Sequence, residues 1–196
     1  AERVKSGSVG PDTIMSFRTR SARIVWLVQM STEMFQPPPF NPLRCDPRVG
    51  LMFDKFVGFA TKAMDRWSEL EVTHSLSVYF FSRTYMEGSG TGASTVNTDE
   101  EGRTYEDHYL PVIENATPAS HDWPSLVPAM KKAFSTYPTL VSWRSRGAST
   151  RLPSTSQNGN LLEAINITLN VLQYHYMDRD LSRTGNSIVV VSPGDG

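Results

Sequence analysis

The chain has one cysteine, Cys45, among 196 residues. A lone thiol makes neither an internal disulfide nor a cysteine-based zinc site, and points to a reducing, intracellular setting. Neither sign of charge is in excess: 19 Lys and Arg stand against 20 Asp and Glu, a net charge of −1. That excludes a broad basic surface for nucleic acid or anionic lipid. No apolar run approaches the roughly 20 residues that a membrane span requires, and no signal peptide opens the chain. Catalytic signatures are scarce as well. His74, His108, His121 and His175 are scattered and form no ligand-quality pair. There is no Gly-x-Ser-x-Gly elbow for a nucleophile and no glycine-rich phosphate loop ending in Lys-Ser or Lys-Thr. Drawing Ser31 into a triad with a distant His and Asp requires geometry that no spacing here supplies.

What is present is an α/β pattern. Ile24 to Val28 form an unbroken apolar run, as in a strand covered on both faces. Leu51 to Leu70 place Phe53, Phe56, Val57, Ala60, Met64 and Trp67 at three- and four-residue spacing, which predicts an amphipathic helix packing against a core. Leu76 to Phe81, aromatic and branched, predict a second strand ending near Tyr85. Tyr109 to Glu114 contain Pro111 and fit an antiparallel edge strand. A helix is expected over His121 to Tyr137, with Asp122 as N-cap, Pro124 in the first turn and Pro128 as an early kink. The clearest helix covers Asn160 to Tyr176, with Leu161, Ala164, Ile165, Thr168, Leu169, Leu172 and Tyr176 inward. Ser187 to Ser192 supply a last apolar strand.

Gly and Pro number 13 each, and they concentrate between these elements. Residues 1–20 are expected to be a flexible lead-in to one domain over 21–196, with insertions near 36–50, 87–103 and 142–158. The first insertion carries Pro37, Pro38, Pro39, Pro42 and Pro47, which forbid a regular helix or central strand; Pro37 to Phe40 is also a weak polyproline-ligand pattern. Ala1 is not an initiator methionine, so the chain reads as a fragment of a longer protein.

The first strand runs into Gln29-Met30-Ser31-Thr32-Glu33. This resembles the strand and metal loop of a von Willebrand A-type domain, whose Asp-x-Ser-x-Ser holds a divalent cation. The resemblance implies an α/β sheet of Rossmann-like kind, mostly parallel with one antiparallel edge strand and helices on both faces. It puts Gln29 in place of the metal-binding Asp, keeps Ser31, and puts Glu33 in place of the second Ser. Thr155 or Ser156 stands nearest the family's Thr, and Asp195 is displaced from the third anchor. A neutral carbonyl replaces the main counter-charge of a hard cation, so no metal and no cofactor are expected.

Six stretches together resemble one family: Arg23 to Met34, Phe80 to Tyr85, Gly102 to Tyr109, Lys131 to Pro138, Gly159 to Asn166 and Arg183 to Gly194. It is the vacuolar-membrane-associated Iml family, counterpart of DEP-domain-containing protein five. The resemblance implies the central structural domain of the largest subunit of the first GATOR complex, SEACIT in fungi. That complex restrains TOR signalling when amino acids are scarce, with consequences for autophagy, by activating hydrolysis on Rag-type GTPases at the cytosolic face of the vacuole or lysosome. It also implies that the catalytic arginine belongs to a nitrogen-permease-regulator-like subunit, so no catalytic residue is carried over. The expected role is a non-catalytic scaffold that binds those subunits, with neither nucleic-acid binding nor membrane insertion. Two alternatives stand beside it: a metal-dependent adhesion-type module using Ser31, Glu33 and Thr155, and a direct GTPase activator using Arg83 or Arg183. Asn166-Ile167-Thr168 matches a glycosylation sequon within a helix and is read as chance.

Overall fold

A computed structural model describes residues 19–36, 51–87, 97–118, 122–143, 150–175 and 185–194, with positions 8, 10–12 and 183. Its elements run β1 (Arg23–Gln29), α1 (Thr32–Phe35), α2 (Met52–Glu69), β2 (Ser75–Glu87), β3 (Asn97–Thr98), β4 (Thr104–Ala116), a 3-10 turn (Trp123–Leu126), α3 (Val127–Leu140), β5 (Thr150–Pro153), α4 (Leu161–His175) and β6 (Asn186–Val191).

The sheet has six strands in the order β3-β4-β2-β1-β6, with β5 attached separately to β2. β1 lies between β2 and β6 and is parallel to both, which is why its sequence is a continuous apolar run. Alternate side chains serve opposite faces. Ile24, Trp26 and Val28 join the larger core with α2 and α3, whereas Val25 and Leu27 join a smaller one with Phe81 and Ala164 of α4. In the larger core Trp26 meets the edge of Phe56 at 5.7 Å between centroids. There Phe53 also stacks on Phe134 at 3.8 Å.

The α2 helix follows the expected apolar spacing, with Phe53, Phe56, Val57, Ala60 and Met64 buried. Asp54 caps its start by accepting a hydrogen bond from the Leu51 N–H at 3.0 Å. Its C-terminal exit bends through Glu71, whose φ is 51°.

The sheet differs from the expected mostly parallel arrangement. Two pairings are parallel, but three are antiparallel: β2 with β4, β2 with β5, and β3 with β4. The physical reason is the length of β2 and β4, 13 residues each. β1 ends at Gln29 opposite Phe81, and the rest of β2 needs another neighbour for its backbone groups. β5 meets that need from Thr84 to Glu87. The expected insertion over 142–158 therefore contains a strand, and the one over 87–103 contains β3. The β4 strand also extends beyond the expected Tyr109–Glu114, because Thr104 and Tyr105 pair with β3 and β2. Pro111 remains tolerated because β3 reaches only Thr104 and Tyr105, leaving β4 without an outer neighbour at the proline among the described residues.

The expected single helix over 121–137 is split. Pro128 stands at the start of α3, where its missing N–H costs nothing, and a 3-10 turn precedes it. Asp122 makes no side-chain cap; its carbonyl instead accepts from the Ser125 hydroxyl at 2.6 Å. In α4, Ala164 and Thr168 face inward as expected, but Leu169 is 52% exposed. Cys45, the proline insertion, His121, Tyr176 and Asp195, each given a role or place by the sequence, lie outside the described residues.

Candidate functional site

Three segments converge at the carboxyl end of β1: the β1–α1 turn, the loop between β5 and α4, and the residues after β6. Gln29 sits at their centre, 1% exposed. Its side-chain Nε2 donates to the Ser156 carbonyl at 2.9 Å, and its Oε1 accepts from the Ser192 hydroxyl at 2.7 Å. Both ends of the amide are thus committed, one to each neighbouring segment. Glu33, on α1, reaches across to the same loop, where the Ser156 N–H donates to its two carboxylate oxygens at 3.0 and 3.2 Å. The Ser156 hydroxyl donates to the Gly194 carbonyl at 3.0 Å. Thr32 adds a backbone bond, its N–H donating to the Ser154 carbonyl at 3.0 Å.

Burial works to raise the Glu33 pKa, but the Ser31 hydroxyl nearby and the Ser156 N–H and hydroxyl more than offset it. The carboxyl therefore sits below its ordinary value and is held ionised. Ser31 is fully buried, and its Oγ completes no hydrogen bond among the described residues. Asn160, the residue before α4, is equally buried, and neither polar atom of its side-chain amide reaches hydrogen-bond geometry, although the Tyr109 phenol lies near it.

These residues do not fit a hard divalent cation. Such an ion needs several oxygens free to face it, at least one of them charged. Gln29 turns an N–H and an occupied carbonyl to its neighbours, and both Glu33 oxygens are held by Ser156.

The expected positions are only partly assembled. Gln29, Ser31 and Glu33 stand together as the spacing implied. Thr155 does not join them; it is exposed, and its neighbour Ser156 makes the contacts. Ser192, directly after β6, donates to Gln29 at the strand end where the third anchor was sought and from which Asp195 was read as displaced. Sequence reasoning passed over Ser192 because it sought a carboxylate rather than a hydroxyl. Gly159 was also missed: a Cβ there would lie 2.1 Å from Gln29 Nε2, so only glycine leaves room for the amide.

The model of the von Willebrand A-like domain of vacuolar membrane-associated protein Iml1 matches residues 21–196. The chain belongs to that family. It is 36% identical to a DEP domain-containing protein of Dictyostelium discoideum, over all of this chain and 8% of that protein. It is 32% identical to the GATOR complex protein Iml1 of Drosophila melanogaster, over all of this chain and 13% of that protein. With the vacuolar membrane-associated protein iml1 of Emericella nidulans the identity is 31%, over all of this chain and 12% of that protein. The chain thus spans about an eighth or less of the curated relatives it matches.

Within this Iml1 von Willebrand A-like domain, the two arginines singled out by sequence are both engaged. Arg83 donates to both Asp107 oxygens, Nε to Oδ1 at 2.8 Å and Nη2 to Oδ2 at 2.9 Å, and reaches Glu163 at 3.2 Å. Its guanidinium lies 3.9 Å from the Tyr105 ring centroid. Hydrogen bonding to Asp107 raises its pKa further above the usual range. Arg183 donates from Nε to the Thr73 carbonyl at 2.5 Å. His74 accepts the Ala22 N–H on Nδ1, and burial lowers its pKa. No helix of the described residues is long and apolar enough to cross a membrane.

Proposed function

We propose that this domain is a non-catalytic protein-interaction scaffold within a GATOR-type complex. In this reading the complex activates Rag-type GTPases and restrains TOR signalling when amino acids are scarce. The observation that carries the proposal is the Gln29 amide, which stands where the resemblance puts a metal-binding Asp and spends both its polar ends on Ser156 and Ser192. A neutral cross-link there supports a fixed platform rather than ion-dependent adhesion or metal-assisted chemistry. Two further observations point the same way. The Ser31 hydroxyl is fully buried, and Glu33, the carboxylate beside it, has both oxygens engaged by the Ser156 N–H, so no free base stands ready to activate it as a nucleophile would need. Arg83 is locked by two carboxylates and is unsuited to reach into a partner's nucleotide pocket. Family membership, with a relative named as a GATOR complex protein, supports the assembly.

On this reading the partners are the nitrogen-permease-regulator-like subunits, which carry the catalytic arginine. The domain works at the cytosolic face of the vacuolar or lysosomal membrane, held there through the complex. The test is co-purification with that pair of subunits. Retention of the pair supports the scaffold role, and its absence removes it. In the assembled complex, Arg83→Ala and Arg183→Ala should leave GTPase activation within about twofold of wild type, whereas loss of a true arginine finger costs about 10³-fold or more.

A further inference from the structure

The loop that meets Gln29 contains the one Asn-Gly pair in the sequence, Asn158-Gly159. Both residues lie in the turn between β5 and α4. An asparagine followed by glycine is the pair most prone to lose its side-chain amide, because no Cβ shields the next main-chain nitrogen. The structure leaves that amide and that nitrogen available to each other. Asn158 is exposed, and its side chain makes no hydrogen bond among the described residues. The Gly159 N–H donates to the Ser156 carbonyl at 3.4 Å, a weak bond beside the usual length of about 2.9–3.0 Å. Asn160 and Asn186 are held differently. Asn160 is fully buried and followed by Leu161, and Asn186 lies in β6 with its side chain accepting from Arg23 at 3.3 Å.

A larger residue at position 159 would slow the reaction, but the fold has no room for one. A Cβ there would lie 2.1 Å from Gln29 Nε2. The packing that seats the central amide therefore keeps a labile pair in the loop.

We propose that Asn158 is a site of spontaneous deamidation whose product loosens the Gln29 cross-link. Solvent base removes the proton of the Gly159 main-chain nitrogen, which attacks Asn158 Cγ. The new N–C bond closes a succinimide ring, the Cγ–Nδ2 bond breaks, and ammonia leaves. Water then opens the ring. Attack at Cγ restores the ordinary chain with aspartate at this position. Attack at the main-chain carbonyl carbon leaves isoaspartate, whose link to Gly159 runs through the side chain and is one methylene longer. The sum is one water consumed and one ammonia released, with no oxidant or cofactor. The extra methylene enters directly before the glycine packed on Gln29. It also lies two residues after Ser156, which accepts from Gln29 and donates to Glu33. Either product adds a negative charge to the loop that holds Glu33. The reaction uses only water and the loop's own backbone, so it goes beyond the scaffold reading and does not depend on it.

The test is ageing of the full-length polypeptide in warm, mildly alkaline buffer, beside an Asn158→Gln variant whose longer side chain closes the ring far more slowly. Peptide mass mapping reads conversion at each asparagine. Isoaspartate in the isolated peptide is read by methyl transfer from S-adenosylmethionine, with an isoaspartate-specific carboxyl methyltransferase as reagent. Asn158 is expected to convert ahead of Asn160 and Asn186 and to yield a methyl-accepting peptide. Backbone hydrogen exchange over Ser156 to Asn160 is expected to rise by about tenfold or more in the aged wild type and to stay unchanged in aged Asn158→Gln. An Asn158 that stays intact after a free Asn-Gly peptide in the same buffer has converted overturns the site. Conversion to aspartate without methyl acceptance overturns the succinimide route. Isoaspartate at this position with unaltered exchange overturns the loosened cross-link.

Discussion

Gly159→Ala tests the neutral cross-link most directly. The added methyl carbon would lie 2.1 Å from Gln29 Nε2 and 3.3 Å from its Cδ, so the amide must leave. A long side chain at a surface would simply swing aside. Gln29 is 1% exposed and bonded at both ends, so its movement breaks the bonds to Ser156 and Ser192. Each lost hydrogen bond costs about 1 kcal/mol, and a buried group left unpaired adds to that. Alanine restricts the unfolded chain and returns about 0.4–1 kcal/mol. Destabilisation of about 2 kcal/mol remains, equivalent to a fall of about 4–8 °C in melting temperature for a chain of this size. The assay is thermal unfolding of four proteins: wild type, Gly159→Ala, Gln29→Ala and the double variant. With Gln29 already truncated, the new methyl meets no amide, and Gly159→Ala should then be neutral or slightly stabilising. If Gly159→Ala costs as much in the Gln29→Ala background as in wild type, the amide is not what the glycine accommodates, and the reasoning fails.

Other outcomes follow from the same geometry. The Glu33 pKa is lowered on folding, so its stabilising contribution is complete above the ordinary value of 4.5 and is lost as pH falls through the lower folded value. The melting-temperature gap between wild type and Glu33→Gln should therefore be constant near neutrality and close under acid; a gap that widens in acid contradicts the sign. Mg²⁺, Mn²⁺ or Ca²⁺ should leave the melting temperature of wild type unchanged, since only an ion bound by the native state raises it. Arg83→Ala strands Asp107, whose side chain is 14% exposed, and should cost about 2 kcal/mol in denaturant unfolding. Tyr137→Phe removes the buried hydroxyl pair with Ser82 at 2.9 Å and should cost about 1 kcal/mol by the same measurement.

The sequence made legible those parts in which one residue's neighbours are set by local pattern. The continuous run of β1 announced a doubly covered strand, and the spacing from Phe53 to Met64 announced α2 to within a residue or two. The Gln29-Ser31-Glu33 spacing brought these residues together because they follow one another from the end of β1 through the turn into the first residues of α1. What escaped was non-local. β5 has four residues inside a Ser/Gly-rich stretch, and its identity as a strand comes from β2 outrunning β1. Thr155 and Ser156 have similar chemistry, and a one-residue difference in loop path decided which of them faces Gln29. Ser192 carries no charge to mark it, and its role is visible only where β6 ends beside β1.

A glutamine at position 29, where the resemblance puts a metal-binding Asp, bears on more than ion binding. A cation joins loops only while it is bound, so any platform built on it follows ion concentration and ligand exchange. An amide joins them by covalent attachment to β1 at one end and hydrogen bonds at the other, whatever the solution contains. Gln29 holds the loop before α4 through Ser156, and the exit of β6 through Ser192. Glu33 ties α1 to that same loop, and Ser156 ties it onward to Gly194. Each link is modest, about 1 kcal/mol for a neutral pair and somewhat more for the charged one. They share Ser156, however, so displacing that loop breaks three of them at once. The expected consequence is coupling: Ser156→Ala, which removes only the hydroxyl bond, should cost less than Gly159→Ala, which dislodges the central amide.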